Sequence, residues 1–197
     1  ASWSYIPGII WKEDFNELAD GTIQDTISSS EWSLIQDASK GYAEVRSHKF
    51  EVNAPDLQEV IWQSETIDIS GYNNADIQID LESWTSGSFE AEDSIIVSYK
   101  IDGGSETLLN NGKHAGAIGN ITGAGSGGYH SATATASGLN GDSLDIIIKA
   151  FCDEDSEIYR FDNVFVLEAS SGDDPLIADP GDPRTEVSGL HYGLNHF

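Results

Sequence analysis

Apolar positions recur every second residue in short runs along this chain, and Gly, Asn and Asp punctuate the runs. DIQIDLE, residues 76–82, puts Ile77, Ile79 and Leu81 on one face and Asp76, Gln78, Asp80 and Glu82 on the other. That is the alternation of a half-buried strand. IIVSYKI (95–101) alternates likewise and runs into Asp102, Gly103 and Gly104, residues tolerant of positive φ that close a hairpin onto SETLL. Further strands are predicted at 41–47, 59–69, 131–137, 143–151, 158–168 and in the opening stretch. Helical periodicity is nearly absent. Short strands at this spacing predict an all-β, two-sheet antiparallel β-sandwich, with Trp32, Trp62 and the thiol of Cys152 in its core and Trp3 and Trp11 covering a sheet edge.

Two segments break the pattern. Residues 110–130, NNGKHAGAIGNITGAGSGGYH, form a Gly-rich stretch, predicted to be a long connection; such loops are usually functional or disordered. From Ala169 onward, SSGDDPLIADPGDP holds three of the five prolines and reads as a semi-rigid linker. EVSGLHYGLNHF then either docks on the domain or begins a neighbouring module. The expected organisation is an N-terminal extension (1–10), one β-sandwich domain (11–168) and a linker and tail (169–197).

Charge narrows the partners. The 197 residues carry 9 Lys and Arg against 34 Asp and Glu, a formal net charge of −25. Such a field repels polyanions, so neither nucleic acid nor a membrane surface is an expected partner. No run of 18 apolar residues occurs that would cross a membrane as a helix. The absence of Met suggests a processed product or excised segment, and a lone Cys152 rules out an internal disulfide. A secreted or cell-surface protein, acting as a monomer and folding without covalent staples, is the expectation.

The acid in IYRFDNVFVLE (158–168) needs an explanation, because Asp162 interrupts a strand otherwise rich in Phe and Val. A carboxylate there is costly unless it is hydrogen-bonded or holds a metal. Calcium, which takes six to eight oxygens from carboxylates and carbonyls, is one partner; a bulge capped by Asp162, or pairing with Arg160 or a neighbouring cation, is another. First and last strands of a sandwich often lie side by side, and WKEDFNELADGT (11–22) offers Glu13, Asp14 and Asn16.

EDFNELADGT followed by EWSL, then VIWQSETIDISGYNN, then IYRFDNVFVLE, together resemble the jelly-roll, lectin-like carbohydrate-binding modules of secreted bacterial polysaccharide-degrading enzymes, broadly those of families 4 and 22. The resemblance covers residues 11–168. It implies a structural calcium shared by the two end motifs, with Asp162, Asn16, Glu13 and Asp14 around it, and Asn16 stands where an acid often follows the Phe. It also implies a polysaccharide ligand, neutral or bound with the help of a cation, and an attached catalytic domain.

Sugar sites combine an exposed aromatic with fixed polar groups. Trp84, in ESWTSGSFE, is the candidate platform; Tyr129 and His130 close the Gly-rich stretch, while Asn111, Lys113 and His114 open it. Packing of Trp84 beneath that stretch is the competing reading. Catalysis has weaker support. Gln78, Asp80 and Glu82 align on one strand face, but retaining glycoside hydrolysis needs two carboxyls flanking the bond, and Gln78 cannot form a glycosyl ester. A lyase would need a base and a charge-neutralising cation, for which Tyr129 and His130 are the one adjacent pair. The chain is expected not to be an enzyme, with a structural or adhesive spacer as the remaining alternative.

Overall fold

The computed structural model describes residues 8–26, 29–53, 58–90, 92–118 and 129–169, together with strand pairs at 176–177 and 187–188. Every regular element is a strand: β1 (Ile9–Glu13), β2 (Gln24–Asp25), β3 (Trp32–Gln36), β4 (Tyr42–Arg46), β5 (Lys49–Asn53), β6 (Val60–Ser64), β7 (Ile67–Asp68), β8 (Ala75–Thr85), β9 (Ser94–Ile101), β10 (Thr107–Ala115), β11 (His130–Leu139), β12 (Ser143–Phe151), β13 (Glu157–Glu168), β14 (Leu176–Ile177) and β15 (Val187–Ser188). The front sheet runs β4-β5-β13-β8-β11, with β1 also on β13; the back sheet runs β2-β3-β6-β12-β9, with β7 also on β12. All pairings are antiparallel, and β10 turns the corner, pairing β9 on one side and β11 on the other. Within the tail, β14 pairs β15.

Alternation decides which side of each strand is buried. On β8, Ala75, Ile77, Ile79, Leu81 and Ser83 face inward, and the residues between them do not. Front and back sheets meet through aromatic rings: Trp32 of β3 lies edge-on to Phe50 of β5 at 5.3 Å, and Trp62 of β6 to Phe161 of β13 at 5.4 Å. Phe15 joins them, 5.8 Å from Trp32 and 5.7 Å from Phe161. Edge-to-face pairs of this kind add to the burial energy of the rings themselves. Trp32, Trp62 and Cys152 are core residues as expected, and Trp11 is also buried; Trp3 lies outside the described residues.

Asp162 marks a bulge. The register of β13 against β8 shifts between Asp162 and Phe165, and Asn163 takes φ 50°. An extra residue in one strand kinks it and restores the facing pattern beyond, so Phe161 and Val164 both point inward although three positions apart. At the β9–β10 hairpin, Asp102 (φ 51°) and Gly103 (φ 66°) make the turn, as the sequence predicts. The expected connection at 110–130 begins instead as strand: Asn110 to Ala115 complete β10. Gly112 permits this corner, because a Cβ there would lie 2.9 Å from the Val97 carbonyl oxygen. Residues 119–128, including the Asn120-Ile121-Thr122 sequon, lie outside the described residues.

Candidate functional site

The outer face of the front sheet collects the aromatic and charged side chains. Cross-strand partners share a face, so Ser131, Glu82, Arg160, Glu51 and Glu44 form one row across β11, β8, β13, β5 and β4. Thr133, Asp80 and Asp162 form the next row, and Trp84 pairs with Ile158 at the far end of β8. Tyr129 stacks under the Arg160 guanidinium, 4.0 Å from its carbon, and Tyr42 under that of Arg46 at 4.2 Å. Cation–π contacts fix each ring against its guanidinium.

Protein donors engage most of the acids on this face. Glu51, 3% exposed, bonds Arg160 and accepts from the Tyr42 hydroxyl. Lys49 Nζ reaches Glu82 at 2.9 Å and Asp162 at 3.8 Å, while Asp80 accepts from Thr133 Oγ1 (3.1 Å) and Asn163 Nδ2 (3.0 Å). Burial and the neighbouring carboxylate push the Tyr42 hydroxyl up to about 12. The row Gln78, Asp80, Glu82 therefore faces outward with both carboxylates engaged by protein donors.

The remaining sequence candidates distribute as follows. Trp84 and Tyr129 share the front face. His130 pairs in register with Ser83 and so falls on the inner row at the strand end. Asn111 Nδ2 donates to the Thr133 carbonyl on the edge of β11, His114 Nε2 lies 2.9 Å from the Asn111 carbonyl oxygen, and Lys113 pairs with Ile96 on the back sheet.

The end motifs do lie side by side: Glu13 pairs in register with Val164. Glu13 is buried, accepting from the Phe15 amide at 2.6 Å and from Trp32 Nε1 at 2.9 Å; burial pushes its carboxyl up. Asp14 accepts from Lys12 at 2.7 Å, which holds its carboxyl below the ordinary range, and from the Asn16 amide at 3.3 Å. Asp162 Oδ1 caps the bulge by accepting from the Asn163 amide at 2.8 Å; burial raises its carboxyl.

A second acidic group lies where the β8–β9 and β12–β13 connections meet. Glu90, Asp93, Asp153 and Glu157 bring one carboxylate oxygen each within 4.8 Å of one another, an arrangement able to hold a metal ion. Asp93 Oδ2 accepts from the Glu90 amide at 2.6 Å, and Glu157 Oε2 from the Glu154 amide at 3.2 Å. Burial raises both carboxyls, and neighbouring acids raise them further, Asp153 and Glu90 acting on Asp93, Asp93 and Glu90 on Glu157. The runs FEAED, ahead of β9, and CDEDSE, leading into β13, supply these acids. Their meeting depends on topology, which places β9 and β13 in different sheets.

No family model and no curated protein matches this chain. Among solved structures, the K3 cleaved adhesin domain of Lys-gingipain from Porphyromonas gingivalis w83 is similar at TM-score 0.50 and 12% identity, covering 82% of this chain and 98% of that one. A CBM4 structure is similar at 0.47 and 13%, covering 78% and 96%. The CBM22-1 xylan-binding domain of Paenibacillus barcinonensis Xyn10C gives 0.39 and 11%, covering 86% and 100%. At 12% identity the likeness to the adhesin domain is one of fold, and the strand order itself is the antiparallel β-sandwich that the strand pattern anticipates.

Proposed function

We propose that this chain is a non-catalytic carbohydrate-binding domain that holds a polysaccharide across the outer face of the front sheet. The observation that carries the reading is the convergence of Trp84, Tyr129 and Tyr42 on one outward face, beside fixed polar groups. Flat rings offer the apolar contact that a sugar face wants, while the paired rows of Glu82, Arg160, Glu51, Lys49 and Asp80 supply donors and acceptors to its hydroxyls. A net charge of −25 repels anionic chains, which favours a neutral glycan. Asn111, on β10, reaches the adjoining strand by donating to the Thr133 carbonyl.

Two further elements belong to this reading: calcium as a structural ion, and a role in tethering an attached catalytic domain to its substrate outside a bacterial cell. Tethering raises effective concentration, so weak binding by a single face suffices. Affinity electrophoresis against a panel of neutral polysaccharides, with and without calcium, tests it. Retention by at least one polysaccharide is expected, and Trp84→Ala should abolish that retention while leaving the melting temperature unchanged. Unaltered mobility of the native chain across the panel would replace this reading with a spacer role.

A further inference from the structure

Buried carboxylates are tolerated when their oxygens are satisfied, and the cluster between the β8–β9 and β12–β13 connections leaves several of them unsatisfied. Asp93 and Glu157 are both 0% exposed, yet Asp93 Oδ1 and Glu157 Oε1 are buried without a hydrogen-bond partner, as is Asp153 Oδ1. Most buried polar atoms in folded proteins find a partner, so each exception calls for a cause. Three orphaned oxygens in one place, with Glu90 at the exposed rim, share a single cause.

We infer that Glu90, Asp93, Asp153 and Glu157 form a divalent cation site selective for calcium, which ties the β8–β9 connection to the β12–β13 connection. The donors are all oxygen and all carboxylate, the preference of a hard cation; no His or Cys belongs to the group. Calcium–oxygen distances of about 2.3–2.6 Å put opposed ligands roughly 4.6–5.2 Å apart, and the four oxygens fall within 4.8 Å of one another. Magnesium keeps most of its waters and commonly takes one or two carboxylates, whereas calcium accepts this many.

The surroundings are built to hold the ligands still. Asn53 Nδ2 donates to the Glu157 and Asp155 carbonyls at 2.6 and 3.1 Å, and the Gly116 amide to the Asp93 carbonyl at 2.7 Å. Tyr159 hydroxyl donates to the Gly116 carbonyl at 2.7 Å and Phe89 packs on its ring at 5.0 Å, closing the inner side. Outside, an open depression of about 430 Å³ is lined by Asp153 with Lys40, Gly41, Glu154 and Asp155. By contrast, the acids on the terminal strands already accept from protein donors, both oxygens of Glu13 included. This site is independent of the glycan reading, because it lies at the end of the sandwich and uses none of the residues of the front face.

Calorimetric titration of the chelator-stripped chain with CaCl2 and with MgCl2, at fixed ionic strength, tests the assignment alongside thermal melts. Calcium should bind one to one and raise the melting temperature by about 5–10 °C at a hundredfold excess over Kd, with a much weaker magnesium response. Glu157→Gln should abolish the shift, and its metal-free form should melt no lower than metal-free native chain, because the amide replaces one of four crowded acids with a neutral group of the same shape. Glu90→Gln, at the exposed rim, should weaken calcium at least tenfold without a folding cost. Asp14→Asn with Asp162→Asn should keep the full calcium response. Absence of heat and of any melting shift in the native chain would overturn the site, as would full calcium binding by both Glu157→Gln and Glu90→Gln, or its loss only in the Asp14/Asp162 variant.

Discussion

Glu51 shows how single residues organise the front face. Its carboxylate sits nearly buried on β5, bonded to Arg160 from β13 and to the Tyr42 hydroxyl from β4. Arg160 in turn lies over the Tyr129 ring, so one acid orients a cation and two aromatic rings. Glu51→Ala leaves those groups without their acceptor, and unsatisfied buried partners cost on the order of 1–3 kcal/mol. Urea unfolding should register that loss. Polysaccharide retention should fall in the same variant, since Tyr129 loses the guanidinium that holds it, whereas Glu44→Ala, whose carboxylate makes only a 3.7 Å ion pair with Arg46, should change neither. Among residues, the sequence announced Trp84 and Tyr129 as candidates through their polar surroundings. It named Arg160 only as a partner for Asp162, where the structure pairs it with Glu51, and it did not announce Glu51, because a charged residue on an alternating strand looks the same whether it is solvated or forms the centre of a network.

Strands were legible where alternation was clean and turns were marked by Gly or Asp. The β4–β5 hairpin was not. Its central residues are Ser47 (φ 51°) and His48 (φ 61°), a turn with two positive φ values that usually asks for Asn or Gly, so RSHKFEV reads as one interrupted run. The bulge at Asp162 and Asn163 was half visible: the intruding acid was evident, and capping of a bulge was among its explanations, but nothing local shows that Asn163 takes φ 50°. That conformation makes a prediction at the level of the strand. Asn163→Ala keeps a Cβ at an αL position but loses the amide that reaches Asp80, and the αL penalty for an L-residue is about 1–2 kcal/mol. Asn163→Gly removes the same hydrogen bond but not the conformational freedom, so it should be the less destabilised of the two. Equal loss in both would assign the whole cost to the Asp80 contact. The acidic centre was illegible for a different reason: FEAED and CDEDSE each resemble an ordinary solvated turn, and only the crossing of β8–β9 with β12–β13 turns two such runs into one concave group.

For the whole molecule, a formal net charge of −25 means that folding compresses like charges into a small volume. Self-repulsion of this kind destabilises the compact state and is screened within about 10 Å at 0.1 M salt. Raising NaCl from about 10 mM to a few hundred millimolar should therefore raise the melting temperature of the metal-free chain, with a smooth dependence and no saturation at a stoichiometric point. Calcium acts on the same repulsion in another way, by occupying a few oxygens at one end of the sandwich, so its effect should saturate at one equivalent and persist in high salt. The two effects separate in Glu157→Gln, which should keep the NaCl dependence almost intact while losing the calcium step. If instead calcium and NaCl stabilised that variant and the native chain in the same proportion, the ion would be acting only on the diffuse field, and the stability of the sandwich would rest on its aromatic core and screened surface.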